Sequence, residues 1–333
     1  MSSREHLLVT GGAGFIGSNF ARLYLSSNPR ARVTVLDKLT YAGNRDNLAD
    51  LERSRRFRFV HGDIADERVV DRLAAQVSCV VNFAAESHVD RSIEAPDAFL
   101  QTSVFGTFVL LEAARRHGHR FLQVSTDEVY GDVAAGSCTE ADPVRPRSPY
   151  SALKAAGDLL ALAYHATYGL EVTVTRGSNT FGPYQHPEKL IPLFVTNAIQ
   201  DLPLPIYGDG LQVRDWLYVA DHCAGIMAVL HRGAAGEIYN IGGGNELTNI
   251  EVTRLILDRL AKPTSLMRHV VDRPGHDRRY SMDSSKMKAL GWEPVHGLIS
   301  ALAETVDWYR QNEAWWRPLK TGSPSPCAAS QAS

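Results

Sequence analysis

LLVTGGAGFIGSNFARL, residues 7–23, is the stretch that decides the fold. Four apolar or β-branched residues read as a short buried strand, and the chain then turns on Gly11, Gly14 and Gly17 into a helical pattern. Without Cβ atoms such a turn closes tightly, and its backbone N–H groups can approach a pyrophosphate at the helix N-terminus. The spacing alone also fits a simple tight turn, so context has to decide. Asp37 ends the next apolar run, VTVLD, twenty positions after Gly17. A carboxylate there would hold adenosine ribose hydroxyls and repel a 2′-phosphate, favouring NAD over NADP, with Lys38 beside it working weakly the other way.

Outward from this unit the same alternation continues. FRFVHGD (57–63), CVVNFAA (79–85), FLQVST (121–126) and VTVTRGS (172–178) read as further buried strands, with helical patterns at 18–26, 67–75, 98–117 and 150–168 between them. The pattern predicts an α/β fold: a Rossmann-type, doubly wound parallel sheet with helices on both faces. Past Asn179 proline and glycine cluster in FGPYQHPEKLIP and LPLPIYGDG, followed by a helix near 221–231, the short strand EIYNIGG and a helix capped by Thr248. Hence a dinucleotide-binding domain over 1–180, a smaller C-terminal α/β substrate-binding lobe over 181–320 with some exchange of segments, and a disordered tail over 321–333. Asp63, after the third strand, is placed to bond an adenine edge, or else simply caps the next helix. Ala84 and Ala85 are small enough to let a cofactor lie against the backbone.

Tyr150 and Lys154 stand four apart, just after Ser148 and Pro149, which suit the N-cap and N1 positions of a helix. Both side chains then project from one face. A nearby ammonium favours phenolate, so the expectation is a tyrosine pKa drawn down toward neutral, ready to take a proton from a hydroxyl while NAD takes the hydride. YxxxK alone is common on surface helices. Here it follows a dinucleotide turn and a strand ending in Ser125–Thr126, either of which could orient a substrate oxygen.

Composition sets the boundaries. The 333 residues are 44% hydrophobic and 22% charged with formal net charge −2, which favours neither nucleic acid nor an anionic membrane as partner. The cluster Arg53, Arg55, Arg56, Arg58 is short enough to be a helix end. No run approaches a membrane span and no secretory pattern opens the chain. Cys79, Cys138, Cys223 and Cys327 are far apart, so neither zinc nor a disulfide framework is expected; free thiols in a cytoplasmic protein without metal are.

GGAGFIG, DKLTYAGN, GDI, NFAAESHVDRSI, STDEVYG, SPYSALK, SNTFGPYQHPEKLIP, GDGLQVRDWLYV and DRPGHDRRY resemble the extended short-chain dehydrogenase/reductases, and within them the dTDP-glucose 4,6-dehydratases. The likeness runs from about Leu7 to the region of Trp316. It implies NAD contacts from Phe15, Ile16, Thr40, Ile64, Phe83, Thr102 and Thr180 besides Gly11, Gly14, Gly17, Asp37, Lys38, Asp63, Ala84, Ala85, Tyr150 and Lys154. It implies that Thr126, Asp127, Glu128, Tyr150 and Lys154 are catalytic: Tyr150 takes the O4 proton, Glu128 removes the C5 proton, and Asp127 protonates the departing C6 hydroxyl. Epimerases of the fold usually carry small residues near 126–128, and decarboxylases resemble TSEVYG where this chain has aspartate. A non-catalytic NAD-binding protein typically lacks the tyrosine or the lysine.

For the sugar nucleotide the resemblance implies Glu86, Ser87, Thr126, Asn179, Lys189, Leu190, Arg214 and Asn249, with Pro205, Ile206 and Tyr207 beside the base. A diphosphate needs cations and donors, for which Arg214, Arg273 and His276 are the candidates. Thr180 and Phe181 stand where the family more often has asparagine and tyrosine, and His186 where an aromatic is usual. The helices SPYSALKAAGDLLALAYHATYG and FLQTSVFGTFVLLEAARRHG are apolar on more than one face, which suggests a homodimer through a four-helix contact.

Overall fold

The computed structural model describes residues 5–320; the tail expected to be disordered, 321–333 with Cys327, lies outside the described residues. In chain order the strands are β1 His6–Thr10, β2 Arg32–Asp37, β3 Phe57–His61, β4 Cys79–Asn82, β5 Arg120–Thr126, β6 Val172–Gly177, β7 Asn179–Phe181, β8 Leu204–Tyr207, β9 Val213–Tyr218, β10 Ile238–Ile241, β11 Glu246–Thr248 and β12 Met267–Val270. Seven form one sheet in the order β10-β6-β5-β4-β1-β2-β3, and every pairing in it is parallel. Fully parallel strands need both faces covered, which is why β1, β4 and β5 are buried almost continuously rather than at alternate residues. The strand order reverses between β1 and β4, where ligands of such sheets sit outside the carboxyl ends.

EIYNIGG joins this sheet. As β10 it pairs with β6 from Ile238↔Val174 to Ile241↔Gly177, and the preceding helix Val219–Arg232 packs on Phe15–Ser27. Residues 219–241 thus return to the first lobe after β7–β9 have left it. The rest of the second lobe is built from the three-stranded β11-β9-β7 and two-stranded β12-β8 sheets with helices Leu190–Ile199, Asn249–Arg259 and Leu298–Gln311. Thr248 caps Asn249–Arg259 in a reciprocal capping box with Glu251.

Two local readings are corrected. The helix expected over 98–117 is three segments, Pro96–Leu100, a wide π turn Gln101–Gly106, and Thr107–His117. At Gly106 a Cβ would meet Ile64 Cδ1 at 2.5 Å, so the wide turn admits that side chain. The arginine cluster is partly structural: Arg56 donates to the carbonyls of Leu25, Asn28 and Ala31, satisfying the end of helix Phe15–Ser27. The C-terminal helix Glu313–Lys320 reaches back to the start of the chain. Its Trp315 Nε1 donates to Asn47 Oδ1 at 2.9 Å, and Asn47 Nδ2 donates to the Ala13 carbonyl at 2.9 Å.

Candidate active site

Two adjoining cavities lie past the carboxyl ends of β1, β4, β5 and β6. The first, of about 280 Å3, is lined by Gly11, Gly14, Phe15, Ile16, Gly17, Asp37, Lys38, Thr40, Asp63, Ile64, Phe83, Ala84, Ala85, Thr102, Tyr150, Lys154 and Thr180, the residues expected at the cofactor, and by Glu86, Ser87 and Thr126. Gly11 shows why glycine is needed. Its φ is +66°, and a Cβ would stand 2.6 Å from the Ala84 amide nitrogen, so β1's turn and β4's end could not approach. Asp37 accepts from the Ala13 amide (2.9 Å) and the Leu39 amide (2.8 Å), which fixes its carboxyl while burial pushes its pKa up. Lys38 is taken up by Asp63 at 2.6 Å, so its opposition to a 2′-phosphate-free cofactor is muted. The next helix is capped by Asp66, not Asp63. Burial pushes Asp63 up, but Lys38 and the Ala65 amide outweigh it and keep the carboxyl below its usual value.

Ser148 and Ser151 form the capping box of helix Pro149–Tyr168, with Pro149 in its first turn. The expected lowering of the tyrosine pKa is absent. Tyr150 is half-buried, and desolvation, then Glu128 and Asp127, push its phenol well above the ordinary value, while the Thr126 hydroxyl pulls down. Lys154 is not among the groups that pull the phenol down; its Nζ donates to the Val124 carbonyl at 2.7 Å. Of the two hydroxyls considered, Thr126 is therefore the one at the phenol.

Strand β5 delivers Thr126 to the cavity and the chain turns at once into the 3-10 segment Asp127–Tyr130, whose Glu128 amide donates to Thr126 Oγ1 at 3.3 Å. Adjacent carboxyls thereby acquire different surroundings. Asp127, 3% exposed, is held well above its normal pKa by burial and then by Glu128, with only Thr126 donating to Oδ1. Burial raises Glu128 too, but Arg273, Lys189 and Arg214 oppose it in turn. Both carboxyls are raised, Asp127 the further of the two, so Asp127 is the one readier to hold a proton.

The second cavity, about 170 Å3, shares Glu128, Asn179, Glu188 and Lys189 with the first and adds Leu190, Pro205, Ile206, Tyr207, Arg214, Asn249, Arg273 and His276. All the residues expected at the sugar nucleotide therefore line one cavity or the other. Arg214 is locked by the carbonyls of Val213 (2.7 Å) and Asp277 (2.9 Å) and lies 4.2 Å over the Tyr280 ring. Arg273 pairs with Asp90 at 3.4 Å. Of the three candidates for the diphosphate, His276 is suited to donate as a neutral ring: burial and then Arg273 lower its pKa to about 4, although its Nδ1 lies 2.6 Å from Asp272 Oδ1. Lys189 donates to the Ser87 carbonyl.

Several residues in or beside the cavities are brought there by the fold rather than by a sequence motif. His222, on helix Val219–Arg232, meets Thr180 Oγ1 at 2.7 Å and is held neutral by burial, at about 4. Tyr41, Arg91, His186 and Glu188 interlock at the mouth, with Arg91 3.8 Å over the Tyr41 ring and 3.4 Å from Glu188. Only the fold brings residues 41, 91 and 188 together. Buried polar atoms without a hydrogen-bond partner concentrate on these walls: Ser178 Oγ, Asn179 Oδ1, Gln185 Oε1, Asp127 Oδ2, Glu188 Oε1 and Asn249 Oδ1. Such atoms are costly unless a ligand meets them, so a polar dinucleotide beside a polar second ligand fits the donor set.

The family model for GDP-mannose 4,6 dehydratase matches residues 8–305. The chain belongs to that family, within the extended short-chain dehydrogenase/reductases. Among its curated relatives, the dTDP-glucose 4,6-dehydratase of Streptomyces niveus is 54% identical over 329 residues, 96% of this chain and 98% of that one. The crystal structure of DesIV, a dTDP-glucose 4,6-dehydratase from Streptomyces venezuelae solved with NAD bound, superposes with a TM-score of 0.93 at 55% identity over 94% of this chain and 99% of that one. The NAD complex of the Bacillus anthracis dTDP-glucose 4,6-dehydratase gives 0.89 at 48% identity, over 95% and 99%.

Proposed function

We infer that the chain is an NAD-dependent dTDP-glucose 4,6-dehydratase, a hydro-lyase that forms dTDP-4-keto-6-deoxyglucose and water. The observation that carries this reading is the Asp127–Glu128 pair, the first buried and the second half-buried, unequal in proton affinity and set beside Tyr150 where the two cavities join. An epimerase on this fold needs no such pair. Relatives named dTDP-glucose 4,6-dehydratase over nearly the full chain support the same conclusion.

Gly11, Gly14, Gly17, Asp37, Asp63 and Lys154 would hold NAD, which supplies a reversible acceptor for the hydride that leaves C4 and arrives at C6, on a ring whose positive charge opposes the carboxylates retaining the Tyr150 proton. Tyr150, oriented with Thr126, takes the O4 proton. The C4 ketone acidifies C5–H, Glu128 removes that proton, and Asp127 protonates the C6 hydroxyl as its C–O bond breaks, releasing water. Glu128 returns a proton to C5, and the proton taken from O4 balances the one Asp127 gave up. Glu86, Ser87, Asn179, Lys189 and Asn249 face the sugar and phosphates with polar atoms, and Pro205, Ile206 and Tyr207 offer an apolar wall to the base. Offered dTDP-glucose and UDP-glucose, the enzyme is expected to give the alkali-developed 4-keto chromophore with the first; its appearance with neither substrate overturns the reading.

The homodimer belongs to the same proposal. Leu100, Phe105 and Leu159 are 53%, 40% and 54% exposed on the segments expected to make the four-helix contact. Sedimentation in dilute solution should give twice the chain mass. A cytosolic setting suits the free thiols Cys79, Cys138 and Cys223, and no described helix is long and apolar enough to cross a membrane.

A further inference from the structure

Below Tyr150 and Lys154 on the same helix, one turn further, stands Asp158, 0% exposed. Its Oδ2 meets Nε of Arg176 on β6 at 3.1 Å, and Arg176 is itself 2% exposed. The guanidinium lies 4.7 Å over the Tyr130 ring, and Tyr130 OH donates to Asn240 Oδ1 at 2.8 Å. Lys154, 5% exposed, has for its ammonium one hydrogen-bond acceptor, the neutral Val124 carbonyl. A carbonyl accepts from an amine as well as from an ammonium, so it does little to keep the proton on a dry lysine. We propose that Asp158, seated on Arg176, is a positioning residue that keeps Lys154 charged beneath the cofactor cavity.

Charges alternate along the buried line, with Lys154, Asp158 and Arg176 in that order. Burial lowers the Lys154 pKa, and Asp158 is what opposes the loss. Burial likewise pushes Asp158 up, with Arg176 and then Lys154 and the Ser125 hydroxyl opposing. Around this line β6 contributes Arg176, β5 contributes Ser125, and the 3-10 segment contributes Tyr130; beyond Asn240 the Glu140 carboxylate accepts its amide at 2.8 Å. The segment 101–117 brings the uncharged Ser103 and Thr107 against neighbouring Gly157. A buried ion pair that merely fastened the helix to β6 would give the same distances, so the test must separate charge on Lys154 from stability.

The proposal rests on the dehydratase reading for its turnover arm only. NAD binding by the whole protein, followed by quenching of tryptophan fluorescence across pH, is the second arm. Asp158→Asn is expected to move the alkaline limb of both NAD binding and dTDP-glucose turnover down by about one pH unit. Asp158→Glu should keep the limb near its original place. The double variant Asp158→Asn/Arg176→Gln removes the stranded arginine, so it should regain much of the lost melting temperature while retaining the shifted limb, and it carries the test if the single variant does not fold. An unmoved limb in Asp158→Asn, or a double variant whose limb returns to the original pH, overturns the proposal. A parent protein that binds NAD but turns over no dTDP-glucose sinks the dehydratase reading and leaves the binding arm intact.

Discussion

The two cavities are built by different means. The first is made largely by backbone: β1's turn approaches β4 because Gly11 has no side chain, and Asp37 is clamped by two amides. The second is made by charged side chains drawn from distant segments, Arg214 on β9 against Tyr280 and Arg273 against Asp90. A surface set by main chain is intolerant of any added atom. One set by side chains tolerates substitution but answers to pH and salt.

The sharpest break in this comparison lies where the cavities meet. Asp127→Asn with Glu128→Gln should lower turnover by about 1,000-fold or more while leaving oxidation at C4 possible, so NADH absorbance should accumulate on adding substrate. Full turnover by the double variant would contradict the assigned roles. Next in size, Gly11→Ala forces a side chain to φ +66° and into the Ala84 amide. NAD affinity should fall about 100-fold, read from the cofactor co-purifying with the protein, whereas no single truncation in the second cavity should release NAD.

Within the second cavity the arginines should behave differently. Arg214 bears on both Asp127 and Glu128, so Arg214→Leu should lower kcat as well as raise KM. Arg273 bears on Glu128 more strongly than Arg214 does but not on Asp127, so Arg273→Leu should raise KM about 10- to 100-fold and lower kcat through the base alone. Equal effects of the two on KM alone would show that Arg214 does not tune the carboxyl pair. The smallest effect concerns His276. With its pKa near 4 it is neutral at pH 6.5, and a diphosphate bound beside it would raise that value. Protons are therefore taken up on binding, and affinity strengthens as pH falls toward 6. Calorimetry in buffers of different ionisation enthalpy should detect a fraction of a proton per thymidine diphosphate bound, absent in His276→Gln.

How far the sequence could be read follows the same division. The glycine spacing, Asp37, the strand runs and the helix start at Ser148–Pro149 are local signals, because backbone conformation is dictated by neighbours in the chain. What they could not show was direction. Lys154 sits four residues from Tyr150 as the spacing requires, yet its ammonium turns to Val124, and the phenol answers to carboxyls from another element. EIYNIGG reads equally well as an edge of either lobe, since three apolar residues in so short a strand carry no record of their partner; β6 decides it. His222, Arg91 and Glu188 needed the tertiary fold to become neighbours of the site at all.

The link from Trp315 through Asn47 to Ala13 joins residues 268 apart in the chain at their first step. A ribosome makes the glycine turn long before the tryptophan that braces it. A nascent chain short of that tryptophan therefore carries the dinucleotide motif without the hydrogen bond that braces it.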